Sequence, residues 1–151
     1  MSIKDWKWIG MPGHFIHASY CEFHLCTEVN GFLVSTVGAW IPEAKACRIL
    51  AETRGIELKG TDDYSVRCDF VDKIGLLGMD GLPESKKKYE TMVFALDLET
   101  EYCQHEYCKC GLPTNFSHIP IETQYYETAG EATSGHIEMC KKYDNKKSQN
   151  S

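Results

Sequence analysis

An α+β fold, with an antiparallel sheet and helices packed on one of its faces, is what this sequence predicts. Three observations point to it. An alternating segment runs into Asn30-Gly31 and returns; two stretches in the middle carry helical periodicity with capping residues; and a later apolar run is long enough for a central strand. At 151 residues the chain suits one domain that buries about 70% of the surface its unfolded form exposes.

Taken in order, His14-Phe15-Ile16-His17 is compatible with a first strand. Cys21 to Val29 alternates, and Asn30-Gly31 supplies the two positive-φ residues of a type I′ turn. Phe32 to Val37 returns, so Val29 opposes Phe32, Thr27 opposes Val34 and Cys26 opposes Ser35. Phe23, Leu25, Val29, Phe32 and Val34 then share the expected core face, with His24, Cys26, Glu28 and Leu33 opposite. Pro42 opens a predicted helix that stops at Gly55, with Ala46, Ile49, Leu50 and Thr53 on one side and Cys47 at the flank. A second helix is predicted from about Asp63 to Ile74, capped by Thr61 or Asp62, ended by Gly75 and striped by Val66, Phe70, Val71 and Ile74. These middle helices are expected on one face of the sheet. Tyr89 to Leu98 reads as a strand buried on both sides. Cys103 to Gly111 reads as a turn, and from about Ile121 to Tyr143 the chain reads as mostly helical, weakened at Gly130 and Gly135. The predicted domain is 1–143, with 144–151 a flexible polar tail.

Composition narrows the function classes. A net charge of −6 argues against a general nucleic-acid binder, because phosphate contacts need a basic surface. Lys86-Lys87-Lys88 reads as a solvated loop. No run approaches the roughly 20 apolar residues of a membrane span, and no signal-peptide pattern opens the chain. A cytoplasmic location is expected, where eight cysteines point to metal or buried thiols before disulfides.

Twelve of the fourteen cysteines and histidines fall in two stretches, 14–26 and 103–140. Zinc is the expected cofactor, since thiolates and imidazoles at short spacings are its usual ligands. Cys108, Cys110, His136 and Cys140 make a Cys₃His set, with the last two one turn apart on a helix. Cys103 or His105 can replace one of them, and buried thiols with surface histidines are the competing reading. A second site is drawn from His14, His24 and Cys26. With an open position it would be catalytic, and it competes with a packed cysteine and edge histidines. Cys21 joins only if a bulge falls near Tyr20–Phe23. No Gly-rich phosphate loop, Gly-x-Ser-x-Gly elbow or His-Glu-x-x-His helix is present. Trp40 and Tyr126 are candidate ligand-binding aromatics, although such residues are more often core.

Three pieces resemble a group of short proteins from phage and prophage genomes. They are Gly13-His14-Phe15-Ile16 through Val34-Ser35-Thr36-Val37-Gly38, Tyr89 to Phe94, and Cys108-x-Cys110-Gly111 with Gly135-His136-x-x-Met139-Cys140. The resemblance implies a phage origin and an intracellular role in host takeover or anti-defence, and transfers no catalytic residue. The expected function is non-catalytic: binding and blocking a host protein or a small, nucleotide-like signalling molecule. The alternative is a small zinc-dependent hydrolase or nuclease on His14, His24 and Cys26.

Overall fold

Asn30 and Gly31 take φ angles of 50° and 81°, and the two strands they join meet in the register that the turn dictates: Val29 opposes Phe32, Thr27 opposes Val34 and Cys26 opposes Ser35. The computed structural model describes residues 6–9, 20–104 and 111–146. Within them the order is β1 (Lys7–Trp8), β2 (Cys21–Val29), β3 (Phe32–Trp40), α1 (Ala44–Thr53), α2 (Asp63–Lys73), β4 (Tyr89–Ala95), β5 (Glu122–Tyr126) and α3 (Ala129–Asp144). The strands form one antiparallel sheet in the order β1-β2-β3-β4-β5. The fold is therefore a single α+β domain.

Both faces of the sheet are buried. On one, Val29, Phe32, Val34 and Val93 pack with Trp6 and with Met139, Cys140 and Tyr143 of α3. On the other, Cys26, Leu33, Val37 and Phe94 pack with Ile9, Leu96 and Leu112. The division of residues between faces follows the predicted alternation, but the Cys26–Leu33 side is a second core. Met92, Phe94 and Leu96 line this second core while Val93 and Ala95 face α3, as a central strand requires.

The middle helices do not cover the sheet. They pack chiefly on each other, around Cys47, Val66 and Phe70 with Trp40, Ile41 and Leu77, beyond the end of β3. The predicted face of α1 is rotated: Ala44, Cys47 and Ala51 are buried, and Ile49 is 53% exposed. Small side chains allow α2 to come close, which a stripe led by Ile49 would prevent. α2 starts where predicted, with Asp62 and Ser65 forming a reciprocal capping box. Gly75 follows it at φ 105°.

The C-terminal region is not one helix. Glu122 to Tyr126 forms a strand, because Thr123, Tyr125 and Tyr126 suit a pleated surface and β4 offers them an open edge. The helix begins only where Thr128 caps it, its Oγ1 accepting from Glu131 N at 3.1 Å. Gly135 does not divide α3. A Cβ there would lie 2.2 Å from the Tyr126 ring, so the glycine is the place where strand β5 and helix approach each other. Asn30 also serves the other end of α3: its Nδ2 donates to the carbonyls of Tyr143, at 3.1 Å, and Lys146. Among the described residues no helix is long and apolar enough to cross a membrane.

Candidate functional site

Beneath α3 the sheet carries a polar stripe in an otherwise apolar interface. Thr27, Thr36 and Thr91 stand on neighbouring strands and are fully buried. His136 drops onto them from α3, with Nε2 2.8 Å from Thr27 Oγ1 and Nδ1 2.7 Å from Thr36 Oγ1. Thr36 Oγ1 continues to Thr91 Oγ1 at 2.5 Å, and Thr91 hydrogen-bonds the Tyr126 hydroxyl. A neutral imidazole has one donor and one acceptor nitrogen, and each hydroxyl can take either role, so the chain satisfies itself. Burial pushes the His136 pKa down to about 4, which keeps the ring neutral. Cys140, one turn further on, hydrogen-bonds Thr27, and burial pushes its thiol up to about 12.

Of the zinc set read from the sequence, Cys108 and Cys110 lie outside the described residues, as does His105. His136 and Cys140 share one helix face as the spacing requires, turned inward. Both ring nitrogens of His136 already have threonine partners, so a metal at either would displace a hydroxyl. For the second set, His14 lies outside the described residues. Cys26 is buried in the second core, and His24, two residues away on β2, is exposed. Cys21 packs against the cluster that holds Cys26, and burial pushes its thiol up to about 11. Among the described residues no three His, Cys, Asp or Glu side chains are placed to hold a metal ion.

Trp40 and Tyr126 stand apart: Tyr126 lies against Gly135 of α3, whereas Trp40 stands where the sheet meets the α1–α2 pair. Two residues in left-handed conformation set this corner, Tyr20 at φ 62° and Ala39 at φ 54°. Each costs roughly 1–3 kcal/mol in a residue with a side chain. Ile41 N bonds Tyr20 O at 3.1 Å and Leu77 N bonds Trp40 O at 3.0 Å, pinning the strand end between two loops. The result is a cleft of about 400 Å3 walled by Tyr20 and Trp40, with Ala46, Leu50 and Leu77 as its apolar lining and Glu43 at the N-terminus of α1. Among the described residues no lysine, arginine or histidine lines it.

Glu43 is the residue that sequence reasoning missed. It occupies the N-cap of α1 yet makes no capping hydrogen bond. Ser, Thr, Asp and Asn are the side chains that suit that position, so Pro42-Glu43 ahead of a helix was a readable signal. Among the described residues its exposed carboxylate has no hydrogen-bond or ion-pair partner. Another hollow, of about 500 Å3 beside α2, has its Asp69 already bound to Lys59 N and Lys73. No protein-family model, curated protein or solved structure matches this chain.

Proposed function

We propose that the protein is a non-catalytic binding domain whose site is the Trp40 cleft, and that it acts by holding and blocking a host protein or a small signalling molecule. The observation that carries this reading is the cleft itself: two aromatic rings over an apolar lining, at a corner where Tyr20 and Ala39 keep strained backbone conformations. Strain of this kind recurs at ligand sites, where it orients side chains that packing alone would leave elsewhere. The volume lies within the range of small-molecule sites, and a nucleotide-like base is of a shape to lie against the indole. A phage setting, in host takeover or anti-defence, follows from the resemblance of the Gly13–Gly38, Tyr89–Phe94 and Cys108–Cys140 pieces. Zinc concerns the C-terminal region and has no part in the cleft.

The test is mass spectrometry of anything released from heated protein, together with capture from host lysate, on the wild type and Trp40→Leu. A small molecule or partner bound by the wild type and lost by the variant, with circular dichroism unchanged, is the expected result. Equal binding by both proteins would remove the cleft from consideration, and binding by neither would remove the reading.

A further inference from the structure

We propose that the Trp40 cleft receives a cationic side chain, a lysine or arginine presented by a basic segment of a partner protein. This rests on the binding reading above and names the chemistry that the cleft selects.

Three features carry it. Trp40 and Tyr20 wall the cleft, and an aromatic ring attracts a cation through its quadrupole. Among the described residues the lining holds one carboxylate, Glu43, and no lysine, arginine or histidine. That carboxylate is exposed and has no partner among the described residues, although it stands at a helix N-terminus where a capping side chain would be bonded. A charge that shares the cleft with two aromatic residues and has no partner among the described residues is complementary to a charge from outside.

The neighbourhood supports the same sign. Arg67 already places its guanidinium 6.0 Å from the centre of the Tyr20 ring. Its own charge is answered by the carbonyls of Pro42 and Ile41, at 3.0 and 2.9 Å, and by Glu22 at 3.2 Å. Arg54 and Glu84 neutralise each other in an ion pair at 2.5 Å. Glu43 thus has no counter-charge among the described residues. The whole chain carries a net charge of −6, which raises the encounter rate with a basic segment and lowers it for an acidic one. The apolar lining suits the aliphatic stem of such a side chain, which buries along apolar surface while its head stays at the rim. Anionic phosphate, by contrast, meets no basic side chain among the described residues of the lining.

The experiment uses the full chain labelled with ¹⁵N, following the Trp40 indole N–H while short peptides are added. The probes are Gly-Gly-Arg-Gly-Gly, its lysine counterpart, the same peptide with citrulline as the neutral isostere of arginine, and inorganic phosphate. The arginine and lysine peptides should shift the Trp40 signal saturably. Citrulline, and separately Glu43→Gln, should weaken the response at least fivefold, and phosphate should leave the signal unmoved. Equal binding of citrulline and arginine, an unchanged response in Glu43→Gln, a phosphate response, or silence with every peptide would each overturn the proposal. Should the partner capture described above still depend on Trp40 in any of those cases, the binding domain stands and only its charge selectivity falls. Should capture fail as well, both fall.

Discussion

His136 and Glu43 are both ionisable and both stand on or beside a helix, yet their surroundings are opposite. Under α3 each polar atom of the Thr27–His136–Thr36–Thr91 chain finds a partner, and water is excluded. At the Trp40 cleft the backbone is strained, the rings are accessible and Glu43 has no partner among the described residues. A closed network of this kind penalises every alternative packing of helix on sheet, because a shift of α3 would strand several buried groups at once. The open corner contributes little to stability in return for its strain. The difference teaches where the molecule spends structure on itself and where it presents structure to something else.

Breaking the closed region should produce the largest effect. His136→Ala leaves a cavity and removes a partner from both Thr27 and Thr36, and should cost about 3–4 kcal/mol in urea unfolding at neutral pH. A cost under about 1 kcal/mol would mean that the network is peripheral to the fold.

The acid side of the same residue comes next. The folded pKa of His136 lies near 4 against an ordinary value of 6.5. A depressed histidine favours folding fully above pH 6.5, where both states are neutral, and loses that contribution as pH falls, because the unfolded chain takes up the proton first. The loss should reach about 3 kcal/mol by pH 4. It should be measurable as a fall in the urea midpoint between pH 6.5 and 4 that His136→Leu diminishes. An identical fall in that variant would assign the acid sensitivity to other groups.

Cys140 sharpens the comparison by a smaller amount. From the threonine network alone, Cys140→Ser keeps a polar partner for Thr27 and should cost about 1 kcal/mol. Loss of one zinc per chain in that variant, read by elemental analysis, would support the set Cys108, Cys110, His136 and Cys140 and require His136 to exchange a threonine for the ion. At the open corner the expected effect is smallest. Glu43→Gln should move the urea midpoint by less than the equivalent of about 0.5 kcal/mol, as for an unpaired surface charge. A larger destabilisation would show that Glu43 serves the fold.

The sequence made some of this legible and left the rest closed, for reasons seen in particular residues. The Asn30-Gly31 hairpin was readable to the register, because turn chemistry and alternation are local. The Asp62 cap and the Gly75 stop of α2 were readable for the same reason. Residues 122–126 were misread as helix, since Thr, Gln and Tyr become a strand here only because β4 leaves an edge for them. Ile49 was placed on the wrong side of α1 because its periodicity fits two faces, and the choice between them belongs to α2. His136 and Cys140 were seen to share a face, but not that the face meets three threonines from three strands.

By itself, then, the sequence determined the elements whose signals lie within a few residues: the hairpin, the caps and breakers of α2, the apolar character of β4 and the spacing of His136 and Cys140. Tertiary structure alone decided which faces are buried, that α3 rather than α1 and α2 covers the sheet, and that both nitrogens of His136 are engaged. It also decided that Trp40 joins Tyr20 and Glu43, while Tyr126 goes under α3 against Gly135. The physical reason is range. Backbone preference and capping act over one turn, whereas burial and the pairing of polar groups are settled by partners as far apart as Thr27 and His136, which meet only once the sheet has formed.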